Sequence, residues 1–465
     1  MPLRPTGGLP TPSGTAPCDA AGGAQPPLLE RLGIEPFRQA FPWYGPDLQT
    51  ARDTLLPPAP LRARAERLLI ALSGGGQLLA WLNLPSAPAS PRALVLLVHG
   101  LGGDSDSPAL ARLTRLLLAS GFAVLRLNLR GAGAGRGLAP GCYSAACAVD
   151  LLPVLPLARR LAGQLADGSA SPLPLLGVGH SLGGTILLNL CLQDGLEDRP
   201  ARRCRAESLE PDLAGPQPAG LRPEGQHPPG QEAAAPGAAG PDLAAQQRGP
   251  AGSHGIPLQR STAALESPAR DPHGGDGPAA AAVPRALDGL ICLSSPLDLE
   301  ASSRRIGAPR NALSHAWLLR RLIRQVLADP QPLPAAELEA LQGPNAVRSL
   351  RQLDHRITAP RWGFASVEAY YRAASPLPKL LAGAALPPTL LLQARDDPWV
   401  PSEAAQKLRG PLNGECGEKL TTMEVCMPDK GGHAGFHSSL DSLAGCWSDR
   451  LVTSWLLQEV IRWKS

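Results

Sequence analysis

The stretch GVGHSLGGT, Gly177–Thr185, contains the pattern G-x-S-x-G with Ser181 at its centre. In this pattern a strand turns sharply into a helix and presents the serine hydroxyl at the end of the strand. The preceding run LPLLGVGH (173–180) predicts a buried strand, and residues 182–193 predict a helix. This context favours Ser181 as a nucleophile over a glycine-rich bend without chemistry.

Short apolar runs alternate with helical segments on both sides of this turn. ALVLLVHG (93–100) and FAVLRLNLRG (122–131) predict strands, and SPALARLTRLLLASG (107–121) predicts an amphipathic helix that ends at a glycine. Further strands are predicted at 287–295, 389–397 and 419–433, with a mostly helical stretch at 300–375 and a helix at the carboxyl end. Repeated strand–helix alternation predicts the α/β class, with a mainly parallel sheet covered by helices on both faces.

Two tracts interrupt this regular pattern. Residues 1–27 are rich in Pro, Gly, Ala and Thr, and in 200–284 Pro, Gly and Ala supply 46 of 85 residues without one Phe, Trp or Tyr. Such segments bury too little apolar surface to offset the entropy of ordering, so both are predicted to be disordered. The remainder is predicted to form one folded domain in four consecutive parts, 28–199, 285–299, 300–375 and 376–465.

Composition narrows the functional class. The 465 residues carry a formal net charge of +4, too small and dispersed to indicate nucleic-acid binding. The apolar runs are too short for a membrane span, and the amino-terminal residues lack the apolar segment of a secretory signal. The nine cysteines show no metal-binding spacing, which favours reduced thiols in a soluble, cytoplasmic protein without a metal site.

A serine nucleophile needs a base, and His433 is the strongest candidate. It lies in DKGGHAGF, after the last predicted strand and before the final helix, where the chain order serine, acid, histidine would place it. His437 is expected to be a surface residue, and His180 is expected to pack near the site without acting in it.

The acid that orients the imidazole is expected in ARDDPWVP, after the strand at 389–397. The spacing to the following Val-Pro favours Asp397, and Asp396 is the alternative. Both carboxylates could also serve only to cap the turn.

Acyl transfer also requires N–H donors that face the developing oxyanion. The glycine-rich loop VHGLGGDSDSP (98–108) follows a strand and permits close approach of the backbone to a substrate. The predicted donors are the N–H of Leu101 and the N–H of Leu182, the residue after the nucleophile. His99 is expected to have a structural role.

With these blocks in order, the chain resembles the YheT-like esterases of the α/β-hydrolase superfamily, which are related to abhydrolase-domain lipases. The similar blocks are PWYGPDLQT, HGLGGDSDSP, NLRGAGAGRG, GHSLGG, SSPLDLEA, LDHRITAPRWGFASVEAYY and ARDDPWVP. The resemblance implies an α/β-hydrolase fold, the same Ser181, Asp397 and His433 in catalysis, and a small helical cap at 300–375. The chain departs from the family pattern at Ser144, His355 and Trp362. These departures leave the three catalytic residues in place, and the family's substrate preference does not carry over to this chain.

The predicted function is hydrolysis of carboxylic esters through an acyl-enzyme, without a metal or organic cofactor. The expected partner is a small-molecule ester with a short or medium acyl chain, or an acylglycerol-like lipid. Two alternatives stay open: the same three residues could act on thioesters or amides, or the fold could be catalytically silent and bind partners through the 200–284 tract.

Overall fold

A computed structural model describes residues 27–86, 90–166, 171–193, 285–409, 422–439, 441 and 445–464. Eight strands form a single sheet: β1 (Ala65–Ala71), β2 (Gln77–Asn83), β3 (Leu94–Val98), β4 (Ala123–Asn128), β5 (Leu175–His180), β6 (Gly289–Leu293), β7 (Thr389–Leu392) and β8 (Met423–Cys426). Their order across the sheet is β1-β2-β4-β3-β5-β6-β7-β8. The β1–β2 and β2–β4 pairs are antiparallel, and all other pairs are parallel.

Helices cover the sheet and follow the strands along the chain. They are α1 (Leu28–Arg31), α2 (Pro46–Leu55), α3 (Pro108–Ala119), α4 (Val154–Gln164), α5 (Leu182–Cys191), α6 (Leu299–Ile306), α7 (Ala312–Leu327), α8 (Ala335–Gln342), α9 (Leu350–Leu353), α10 (Ala359–Arg361), α11 (Val367–Ala374), α12 (Leu377–Leu381), α13 (Glu403–Arg409) and α14 (Trp447–Lys464). No helix in these ranges is long and apolar enough to cross a bilayer.

The central strands are buried on both faces because helices pack on each side. Every residue of β3 is buried; Leu94, Leu96 and Val98 belong to one apolar core, while Val95 and Leu97 belong to the other. Side chains of a strand alternate between the two faces, so a continuous apolar run is what a doubly covered strand requires. The predicted α/β class, with a mainly parallel sheet and helices on both faces, is confirmed.

A helical segment lies between β6 and β7. It contains α6 to α12 and has an apolar core of its own, to which Ile306, Leu318, Leu341 and Ile357 contribute. One turn of it, Asp354–Thr358, is π-helical, a geometry that proteins use mostly in single turns and frequently at functional sites.

Some of the predicted segments lie outside the described residues, and others differ from the structure. The tracts predicted to be disordered, 1–27 and 200–284, lie outside them except for Pro27. The strand predicted at 419–433 is shorter, covering Met423–Cys426. The antiparallel strands β1 and β2 were not predicted at all.

Because β3, β5, β7 and β8 are parallel, their carboxyl ends lie at one edge of the sheet. Ligands of open α/β sheets bind beyond this edge. Each predicted site residue follows one of these four strands, so the topology directs all of them to the same edge.

Candidate active site

Ser181 occupies a strained turn between β5 and α5. Its φ of 50° and ψ of −121° lie in a region that L-residues with a side chain rarely adopt. The glycines of the motif allow this turn: a Cβ on Gly179 would lie 2.3 Å from the backbone nitrogen of Gly184. A Cβ on Gly183 would lie 2.5 Å from the carbonyl oxygen of Val98. The sequence G-x-S-x-G therefore fits the turn because side chains at these glycines would overlap backbone atoms.

The imidazole of His433 connects the serine to a carboxylate. Its Nε2 lies 3.0 Å from Oγ of Ser181, and its Nδ1 lies 2.9 Å from Oδ2 of Asp397. Oδ1 of Asp397 accepts the backbone N–H groups of Trp399 and Val400 at 2.8 and 2.9 Å. These bonds fix a carboxylate that is only 1% exposed, and they hold it against the imidazole.

Asp396, the alternative acid, faces another group. Its Oδ1 accepts the backbone N–H of Gly432 at 2.9 Å, and its Oδ2 is buried without a partner among the described residues. Burial raises the pKa of this carboxyl. The structure thus brings Asp397 to the imidazole of His433, while Asp396 supports the loop that carries the imidazole.

The two predicted oxyanion donors flank Ser181 and line one cavity with it. Leu182 is the first residue of α5, so its N–H has no acceptor within the helix. Leu101 follows Gly100, which packs so closely on Ser181 that an added Cβ would lie 3.0 Å from Cβ of Ser181. Neither N–H finds an acceptor in the described part of the chain. Both backbone amides are therefore available to a bound group beside Ser181.

Tyr143 and His99 contact the backbone of the loop that contains Leu101. The hydroxyl of Tyr143 accepts the N–H of Gly102 at 2.6 Å and donates to the carbonyl of Gly100 at 3.2 Å. Nδ1 of His99 lies 2.9 Å from the same carbonyl, and its ring contacts Tyr143 edge to face. The expectation of a structural contact for His99 agrees with this geometry. Tyr143 was not singled out from the sequence.

The two other histidines near the motif blocks are both buried. His437 was expected at the surface, which is wrong: it is 2% exposed, with Nδ1 3.1 Å from Asp441 and Nε2 3.4 Å from Asp53. His180 is buried next to the nucleophile, and burial lowers its pKa to about 4. Its Nε2 has no hydrogen-bond partner in the described ranges.

A cavity of about 470 Å³ opens above Ser181 and His433. Its apolar wall includes Leu110, Leu182, Leu299, Ile306, Leu318 and Leu322, so it combines loops at the sheet edge with helices α6 and α7. Polar groups of the helical segment line it as well, among them Asp354 and Tyr371. These two lie in a block that only the family resemblance had marked, because a single carboxylate in an amphipathic stretch gives no signal of its own.

The described residues also bear on whether the chain could bind a metal ion. Across the described ranges, no group of three His, Cys, Asp or Glu side chains is placed to hold a metal ion. The residues around Ser181 can supply a nucleophile, a proton acceptor and N–H donors.

Comparison with known proteins gives matches at the level of family and fold. A sequence model of the alpha/beta hydrolase fold matches residues 93–204. "Putative esterase YheT" of Escherichia coli (strain K12) is 29% identical over 177 residues, which cover 37% of this chain and 47% of that protein. "Putative esterase slr0264" of Synechocystis is 40% identical over 83 residues, which cover 18% of this chain and 21% of that protein. The chain thus matches about half of the first relative and about a fifth of the second.

Among solved structures, an esterase of Pyrococcus furiosus, Pf2001, superposes with a TM-score of 0.42 at 10% identity. The superposition covers 93% of this chain and 98% of that one.

Proposed function

We propose that this chain, which is similar to the YheT-like esterases and to the alpha/beta hydrolase fold, is a serine hydrolase that cleaves carboxylic esters. Ser181 is the proposed nucleophile, His433 the general base and Asp397 the residue that orients the imidazole. The N–H groups of Leu101 and Leu182 are the proposed oxyanion donors.

One observation carries the proposal: an unbroken hydrogen-bonded line runs from the Ser181 hydroxyl through His433 to a buried carboxylate. A serine alcohol is a weak nucleophile unless an adjacent base takes its proton, and a base needs a third group to hold its orientation. The strained turn at Ser181 supports the same role, because such conformations concentrate at active sites.

The reaction follows from these positions. As Oγ of Ser181 attacks the ester carbonyl carbon, Nε2 of His433 takes the hydroxyl proton, and the carbonyl oxygen becomes an oxyanion held by the two amides. His433 then returns the proton to the leaving alkoxide, and an acyl-serine remains. Water attacks the acyl carbon with its proton passing to His433, and the serine and a carboxylic acid are released. The carboxylate of Asp397 stabilises the imidazolium each time it forms.

The cavity supports a small ester as substrate. Its volume of about 470 Å³ lies within the range of roughly 300–1,000 Å³ that is usual for small-molecule sites. The wall of leucine and isoleucine side chains suits an acyl chain of short or medium length.

The test is hydrolysis of p-nitrophenyl butyrate, with labelling by a fluorophosphonate probe. Ser181→Ala is expected to lower kcat by at least about 10⁴-fold and to abolish labelling. Ser402→Ala serves as the control, since this serine lies just before α13 and outside the cavity wall. Labelling that persists in Ser181→Ala would reject Ser181 as the nucleophile.

A further inference from the structure

The cavity above Ser181 has a polar end that the proposed reaction does not use. Asp354, in the π-helical turn, and Tyr371, in α11, both line it. The hydroxyl of Tyr371 donates to Oδ2 of Asp354 at 2.7 Å and lies 3.0 Å from Oγ of Ser303 in α6. Three separate elements of the helical segment therefore place polar groups next to one another in the cavity wall.

Among the described residues the carboxylate of Asp354 has no ion-pair partner, and the charge of Arg351 acts on it from beyond ion-pair distance. Within the described ranges, no Lys, Arg or His lies at ion-pair distance from it; the nearby Arg351 pairs with Glu300 and Glu368 at 2.7 and 2.5 Å. Burial raises the pKa of Asp354 to about 6. A carboxylate that is partly desolvated and lacks an ion-pair partner favours a hydrogen-bond donor that reaches it.

Asp354 also keeps surface that a ligand can reach. It is partly accessible, unlike its buried neighbours Leu353 and Ile357, and it belongs to the wall of the cavity. The hydroxyls of Tyr371 and Thr358 both hydrogen-bond this carboxylate. Because a carboxylate has about four acceptor sites, it can still accept a further donor.

On the basis of the proposed esterase function, we propose that Asp354 and Tyr371 form a recognition subsite for a hydrogen-bond donor of the substrate. The donor is a hydroxyl or an ammonium group, carried on the acyl chain at a distance from the ester carbonyl. The preferred substrates are then esters whose acyl chain ends in such a group, and the corresponding unsubstituted esters are poorer substrates.

The experiment compares p-nitrophenyl esters of matched chain length that end in a methyl, a hydroxyl or an ammonium group. At neutral pH the wild-type protein is expected to favour one of the two donor-bearing esters over the methyl ester by about 10- to 100-fold in kcat/KM, the range for a hydrogen bond to a charged group. Asp354→Ala is expected to abolish that preference, so that the three esters are hydrolysed with similar kcat/KM.

Asp354→Asn separates the two donors, because an amide keeps an acceptor oxygen and loses the charge. Preference for a hydroxyl ester is expected to survive this change in large part, whereas preference for an ammonium ester is expected to disappear. Asp429→Asn, an exposed carboxylate outside the cavity wall, is the matched control.

Fluorophosphonate labelling of each variant keeps the two proposals distinct. Normal labelling with no donor preference in the wild type, or an equal fall for all three esters in Asp354→Ala, overturns the subsite alone. Absence of both labelling and turnover in the wild type overturns the esterase function, and the subsite with it.

Discussion

Nδ1 of His433 lies 2.9 Å from Oδ2 of Asp397, whereas the adjacent carboxylate of Asp396 accepts the backbone N–H of Gly432. Two neighbouring acids thus face the same loop in different ways. One contacts the imidazole itself, and the other contacts the backbone that carries it.

This difference predicts unequal effects of neutralising the two acids. Asp397→Asn is expected to lower kcat by about 10⁴-fold, because the amide cannot stabilise the imidazolium and favours the wrong tautomer. Asp396→Asn keeps an acceptor for Gly432 and is expected to lower kcat by less than about tenfold. Steady-state hydrolysis of p-nitrophenyl butyrate measures both; equal losses in the two variants would contradict the assignment.

The turn at Ser181 predicts a stability gain that accompanies loss of activity. At φ 50° a glycine is unstrained, so Ser181→Gly is expected to be more stable than Ser181→Ala by about 1 kcal/mol, although both are inactive. Urea unfolding measures the difference. The same two substitutions at Ser454, inside α14, are the control. There Ser454→Gly is expected to be less stable than Ser454→Ala, because glycine is the poorer helix former.

Gly183, two residues after Ser181, predicts that an added side chain would overpack the turn. Gly183→Ala places a Cβ 2.5 Å from the carbonyl oxygen of Val98, and backbone atoms cannot rotate away as a side chain can. A loss of about 1–3 kcal/mol in the free energy of unfolding is expected. Gly163→Ala is the control: this glycine lies in α4 with nothing within 4 Å of an added Cβ, so a gain of about 0.5–1 kcal/mol is expected. Equal unfolding midpoints for the two variants would rule out this close packing.

Tyr143 predicts a catalytic effect without contact to the reacting atoms. Tyr143→Phe removes the hydroxyl that joins Gly100 and Gly102 on either side of Leu101. The Leu101 N–H is then less firmly oriented, and kcat for p-nitrophenyl butyrate is expected to fall about 10-fold, corresponding to about 1.4 kcal/mol of transition-state stabilisation. KM should change little. A rise in KM at unchanged kcat would assign Tyr143 to substrate binding instead.

Asp354 predicts a pH-dependent stability difference. Burial raises the pKa of its carboxyl from 3.8 to about 6, so folding favours the neutral form, and the associated stability is lost as the pH rises through about 6. Asp354→Asn does not titrate. Its stability relative to the wild type is expected to grow by about 2 kcal/mol between pH 4 and pH 8 and to change little above that range. Urea unfolding across this pH range is the measurement; a constant difference would show that the carboxyl is not desolvated.

Much of the fold could be predicted from local patterns. The apolar run at 93–100 and the amphipathic run at 107–121 gave β3 and α3, and Gly121 ends that helix with φ 81°. The hairpin of β1 and β2 was missed although Gly74–Gly76 mark its turn. Its edge strand has mixed burial, so neither strict alternation nor a continuous apolar run distinguishes it.

The residue types of the candidate site and their order along the chain could be predicted from the sequence, but the contacts between their side chains could not. The motifs around Ser181 and His433 were recognisable because each needs glycines at fixed positions. The choice between Asp396 and Asp397 depends on which way a turn directs two adjacent side chains, and this is set by the N–H groups of Trp399 and Val400. Asp354 gave no signal of its own, because its contact with Tyr371, 17 residues later in another helix, depends on how the two helices pack.

The helices from Leu299 to Leu381 form one insertion in the chain between the adjacent strands β6 and β7. Ser181 and His433 lie outside this insertion. The proposed catalytic residues and a large part of the cavity wall therefore come from separable blocks of sequence. Exchanging the block between β6 and β7 for that of a relative offers a route to new ester preferences with the chemical machinery left in place.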